Sequence, residues 1–170
     1  STLNSCSSMG KTETKIYWGV AAIFFFTAFF NPDFLFSDEY LHGIYLYLPA
    51  QGASFANIVH ESAIRSPLQI LPFHWFAQIA LALGCETPWA QYRFVVVALA
   101  LWNFFLLATA MRIFFVNSEK NRITALGLLG FHGVLPLLLT RPMFESVGAP
   151  LLTLSAAFCF RYSELRRVRD

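Results

Sequence analysis

The chain has 170 residues, 56% hydrophobic and 17% aromatic, with only 13% charged and a net charge of +2. A soluble domain carries about 25% charged residues, so the composition excludes an ordinary soluble globule and predicts an all-α polytopic membrane helical bundle. Its apolar runs are continuous rather than alternating, which argues against a transmembrane barrel.

Residues 1–15 are polar and read as a disordered N-terminus. The chain opens on Ser1, and the stretch from Met9 to Thr14 fits a myristoylation pattern only formally. Residues 16–30 form a first apolar segment, short against the roughly 20 residues a bilayer asks for, with Tyr17 and Trp18 suited to an interfacial belt. Residues 31–67 form a first loop. Within it Tyr40, Leu41, Ile44, Tyr45 and Leu48 recur at helical spacing, the pattern of an amphipathic helix on a membrane surface. Pro49 and Gly52 end that helix, and residues 53–64 can form a second. Further apolar segments follow at 68–84, 94–115, 123–139 and 143–160, and then a basic tail at 161–170.

The charges read as topology signals rather than a nucleic-acid surface: Lys11 and Lys15 precede the first segment, and Arg161, Arg166, Arg167 and Arg169 follow the last. Five full crossings would put these two basic ends on opposite sides, whereas the positive-inside rule wants them on the same side. One segment is therefore expected to be re-entrant or half-crossing, with the short fourth and fifth segments as the suspects. Cys6, Cys85 and Cys159 are too few and too scattered for a disulfide framework or a zinc site, and Cys159, inside an apolar run, reads as a packing residue.

Asp38 and Glu39 stand side by side just past the first apolar segment. Carboxylates held at the edge of a bilayer are costly. One that is partly shielded from water can act as a general base toward a hydroxyl or help hold a divalent cation. The pair also reads as a solvated end to the span. Arg65, just before the second segment, can clamp a phosphate bidentately or snorkel to headgroups as an anchor. Arg141, between the last two segments, can pair with Glu145 one helical turn on or make a second phosphate contact. His42 and His60 fall in the first loop, while His74 and His132 fall within apolar segments, where helix–helix hydrogen bonds are the ordinary use. No histidine pair has metal-ligand spacing, so no metal site is expected.

Taken in order, these stretches resemble one family. Pro32-Asp33 and Ser37-Asp38-Glu39-Tyr40 follow the first segment, then Ile64-Arg65-Ser66-Pro67 and Leu71-Pro72. A Gly84 turn, Tyr92-Arg93, and finally Thr140-Arg141-Pro142-Met143-Phe144-Glu145-Ser146 complete the series. The order is similar to the N-terminal part of the GPI-type and N-glycan mannosyltransferases, polytopic enzymes of the GT-C superfamily, and covers about residues 16–160. The family's His-Pro-Asp-Glu stretch becomes Phe36-Ser37-Asp38-Glu39, and its later Thr-Arg stretch keeps Thr140, Arg141 and Ser146.

The resemblance implies that Asp38 is the catalytic base, that Glu39 supports it, and that Arg65 and Arg141 contact the lipid phosphate. It implies inverting transfer of mannose from dolichyl or polyprenyl phosphate mannose to a glycan or glycolipid acceptor, with no cofactor beyond that donor. The endoplasmic reticulum membrane is the expected location, with a bacterial inner membrane as the alternative. Members of the family have about twice as many spans, so the chain reads as a fragment that can be inactive alone. The competing readings are a non-catalytic multi-pass membrane subunit and a transporter fragment.

Overall fold

The computed structural model of the protein describes residues 10–30, 67–132, 134–140 and 144–167. Among these every regular element is an α-helix: α1 (Lys11–Phe30), α2 (Pro67–Ala82), α3 (Pro88–Phe114), α4 (Glu119–Phe131), α5 (Leu135–Leu139) and α6 (Phe144–Arg167). Among the described residues only α3, at 27 residues, is both long and apolar enough to cross a membrane by length and composition. The all-helical expectation holds for the described residues.

Local chemistry sets the helix boundaries. At the end of α2, Gly84 takes a positive φ of 84°. Gly84 N–H donates to Leu81 O, and Cys85 N–H reaches back to Ala80 O, both at 3.0 Å. This is the paired reach-back that closes a helix on a left-handed residue, and only glycine adopts it freely. Thr87 then caps α3: its Oγ1 accepts from Ala90 N at 3.3 Å, and Pro88 occupies the first turn, where a missing N–H costs nothing. Ser118 caps α4 in the same way through Asn121 N, with Glu119 in the first turn against the positive end of the helix dipole.

The helix α3 is the axis of the bundle. The tight 83–87 turn folds α2 back against it, bringing Phe76 to Trp102 with ring centroids 6.2 Å apart. α1 also runs antiparallel to α3, with Phe104 packed between Tyr17 (4.9 Å) and Phe24 (5.6 Å). α6 runs parallel to α3: Val147, near its start, joins the cluster built on Tyr92–Ala100, and Phe160, near its end, meets Phe114 at 5.7 Å. α4 lies along α1 in the same direction, with Arg122 beside Glu13 and Gly130 beside Val20.

Two apolar clusters result. Ala28, Phe73, Ala77 and Val147 surround the first half of α3. Val20, Phe24, Leu126, Leu129 and Leu139 surround its second half. α1 and α2 therefore run in the same direction, so Phe30 and Pro67 lie toward opposite ends of the bundle.

Several expectations are corrected. α1 begins at Lys11, inside the stretch expected to be disordered, because Glu13 is buried against Arg122 and Thr14 bonds back to Gly10 O through N–H (2.9 Å) and Oγ1 (3.1 Å). The segment expected at 123–139 is broken into α4 and α5 around His132, with Pro136 in the first turn of the second piece. α6 continues seven residues past 160 into the expected tail, where Arg161 pairs with Glu164 at 2.9 Å. Cys159 is exposed rather than packed. The surface helices expected within 31–67 lie outside the described residues.

Candidate functional site

Asp38, Glu39, Arg65 and Arg141 all lie outside the described residues, as does the side chain of Glu145, so their mutual distances and the expected Arg141–Glu145 pair stand as expectations. The structure does describe the points from which the chain departs toward them. α1 delivers the 31–66 stretch from beside the first half of α3, where Ala28 packs with Val95, Val96 and Leu99. The α5–α6 junction that holds Arg141 is pinned from both sides: Leu139 lies against Asn103, and Val147 lies in the Ala28 cluster. The departure points for Asp38-Glu39 and for Arg141 thus share one stretch of α3. The start of α2, next to Arg65, does not share it, because α2 runs antiparallel to α3 and begins toward the other end.

Asn103 holds the junction. It is fully buried at the middle of α3, and its Nδ2 donates to Leu139 O at 2.7 Å. Its Oδ1 has no hydrogen-bond partner among the described residues. The carbonyl it binds belongs to a helix that stops at Thr140, so a side-chain donor supplies what the next turn of helix would have given. Thr140, also fully buried, closes the same turn by donating Oγ1 to Leu137 O at 2.9 Å. Backbone of this kind is tolerated in an apolar setting only when other protein groups satisfy it. A second buried amide, Gln91, leaves both Oε1 and Nε2 without a partner among the described residues.

A second polar feature, Glu13–Arg122, was not singled out from the sequence. Arg122 Nε and Nη2 donate to Glu13 Oε1 and Oε2 at 2.9 and 3.0 Å, and its Nη1 donates to Phe115 O and Val116 O, both at 3.0 Å. The Glu13 hydrogen bond, opposed by desolvation, holds the guanidinium above its ordinary pKa. With nearly all of its N–H groups engaged, Arg122 has no fork left for a phosphate. Its role is to join the start of α1 to the α3–α4 corner. A lone acid opening one apolar segment and a lone arginine opening another were the available signal.

His132 does not bridge helices. Its Nδ1 accepts locally from Leu135 N at 3.3 Å, in the break between α4 and α5. Among the described residues no group of three or more His, Cys, Asp or Glu could hold a metal ion.

No family model matches the chain, and no curated protein or solved structure matches it either.

Proposed function

We propose that the chain is the N-terminal, multi-pass part of a membrane mannosyltransferase. It would take a hexose, mannose by resemblance, from a dolichyl or polyprenyl phosphate and pass it with inversion to a glycan or glycolipid acceptor. In this reading Asp38 takes the proton from the acceptor hydroxyl as that oxygen attacks the anomeric carbon, and the lipid phosphate leaves with the bonding electrons. Glu39 supports Asp38. Arg141 receives the charge of the departing phosphate, a task for which a planar fork of donors is suited. Arg65, given the same task by the resemblance, stands two residues before α2, which starts toward the other end of the bundle, and the reading leans on Arg141. The endoplasmic reticulum membrane is the proposed location.

The observation that carries the reading is the nearness of the two departure points along α3: Ala28, near the end of α1, and Val147, near the start of α6, share the cluster of Val95, Val96 and Leu99, and Leu139 of α5 is bound one turn on at Asn103. A base and a phosphate-binding arginine have to approach one reacting centre from separate parts of the chain, and this convergence supplies the start of such an arrangement. The apolar surface supports the membrane setting, with Phe25, Phe26, Phe29 and Phe30 of α1 and Leu151, Leu152 and Phe158 of α6 all exposed.

The test is donor class. The protein in its full-length form, supplied with mannose on dolichyl phosphate or on a nucleoside diphosphate, should pass label to a lipid-linked glycan from the first donor alone. Equal use of the nucleotide sugar, or use of neither, removes the proposal.

A further inference from the structure

The charges of the bundle are sorted by end. Lys11 and Lys15 at the start of α1, Arg112 near the end of α3, Lys120 at the start of α4, and Arg166 and Arg167 at the end of α6 all lie where α1 and α4 begin and α3 and α6 finish. Arg122 and Arg161 lie at this end too, neutralised by Glu13 and Glu164. Glu119 is the other described acid there, which leaves a clear excess of positive charge. The opposite end, at the α2–α3 turn, carries only Glu86 and Arg93 among the described ionisable chains, with Arg93 lying over the Trp89 ring at 5.1 Å.

An amphipathic aromatic marks the same cationic end: Tyr162, near the end of α6, is 69% exposed, the position such a ring takes at headgroup level. Trp18 is exposed too but lies deeper, beside Tyr17, which packs on Phe104. Above them the outer surface is an apolar band of phenylalanine and leucine.

The path of the chain through this band is uneven. α4 starts at the cationic end and has 13 residues, about 20 Å of helix at 1.5 Å per residue, against roughly 30 Å of hydrocarbon. α5 then stops at Thr140, level with Asn103 in the middle of α3, and α6 returns to the cationic end. The α4–α5–α6 stretch is a hairpin that reaches partway and turns back, with its tip tied by the Asn103 amide.

We propose that the cationic end seats in the anionic phospholipid headgroups of one leaflet, and that α4, α5 and α6 enter and leave through that leaflet as a re-entrant hairpin. The start of α1 and the end of α6 then lie on one side of the membrane, and the α2–α3 turn at Cys85 lies on the other. A hairpin adds no net crossing, so the shared side of the two basic ends rests on the start of α1 and the end of α6 lying at the one cationic end, not on the number of apolar segments. The proposal rests on the membrane reading; it sets the α5–α6 junction partway into the bilayer and so constrains the role given to Arg141, while its labelling test does not use sugar transfer.

The experiment uses a Cys6→Ser, Cys159→Ser background that keeps Cys85, with Thr12→Cys or Ser163→Cys added at exposed positions. The proteins are reconstituted in sealed vesicles of phosphatidylcholine with or without phosphatidylglycerol, and labelled with a membrane-impermeant maleimide. In the anionic vesicles the added cysteines should react from one shared face and Cys85 from the other. Reaction of the two added cysteines from opposite faces overturns the shared side. A Leu138→Cys variant, at an exposed position near the hairpin tip, should stay unlabelled from both faces, and its reaction from the face that labels Cys85 overturns the re-entrant hairpin.

Exposed cations near an anionic surface are each worth roughly a fivefold preference. Both leaflets of such vesicles carry phosphatidylglycerol, so the readout is lipid selectivity: replacing Lys11, Lys15, Arg166 and Arg167 together by Gln should lower the preference for spin-labelled phosphatidylglycerol over phosphatidylcholine at the protein surface by about fivefold or more. A selectivity unmoved by the four replacements overturns the headgroup contact. A chain that floats with neither vesicle removes the membrane reading, and this proposal with it.

Discussion

Glu13 and Arg122, 109 residues apart in sequence, meet in two parallel hydrogen bonds of 2.9 and 3.0 Å in a part of the bundle closed to solvent. Burying two charges is expensive, and the pair repays it only because each member completes the other. Either single replacement, Glu13→Gln or Arg122→Gln, leaves an uncompensated charge or donor set. It should lower stability by about 3–5 kcal/mol, read as a shift of the unfolding midpoint in denaturant. The double replacement Glu13→Leu with Arg122→Met should recover most of that loss. Single variants within about 1 kcal/mol of the parent would show that the contact holds nothing together.

The packing of α1 on α4 depends on one missing side chain. A Cβ built on Gly130 would meet Val20 Cγ2 at 2.6 Å and Cγ1 at 2.8 Å, and Val20 is itself buried and stiff at χ1. Gly130→Ala should therefore cost about 1–3 kcal/mol through overpacking. Gly127, on the same helix, has nothing within 4 Å of such a Cβ. Gly127→Ala should be neutral or stabilising by up to about 1 kcal/mol. Equal effects at the two positions, measured side by side by thermal unfolding in detergent, would contradict this packing.

At Asn103 the expectation concerns a carbonyl rather than a side chain. Asn103→Leu keeps the volume close but leaves Leu139 O buried without its donor, at a cost of about 1–3 kcal/mol. Backbone hydrogen exchange around 135–140 should rise in the variant. Unchanged protection there would mean that the bond does not hold the junction.

Much of this fold is visible in the residues. Gly84 and Thr87-Pro88 mark the α2–α3 turn because each answers a specific backbone need, and a continuous apolar run marks α3. The start of α1 was misjudged because Lys11, Glu13 and Lys15 look like solvent-facing residues when Glu13's partner lies 109 positions away. The break between α4 and α5 was missed because an apolar run shows no period change where the helix stops. It depends on Pro136 and on Asn103 reaching across from another helix. Of the candidate site, the order of Asp38, Glu39, Arg65 and Arg141 is legible in the sequence. The convergence of α1 and the α5–α6 junction on one stretch of α3 is a tertiary fact that no local pattern carries.

Gly84→Ala examines the turn itself. Forcing an L side chain into φ 84° should cost about 1–2 kcal/mol. The loss should appear as a lower unfolding midpoint and weaker α2–α3 association in a split-chain assay. A midpoint equal to the parent's would mean that the turn is not fixed by this residue.

The proposed transfer turns on Asp38 taking the proton of the acceptor hydroxyl. The full-length protein and its Asp38→Ala variant can be compared directly by following label from mannose on dolichyl phosphate to a lipid-linked acceptor. Turnover should fall by about a hundredfold or more, with expression and membrane insertion unchanged. Turnover equal to the parent's would remove Asp38 from the chemistry.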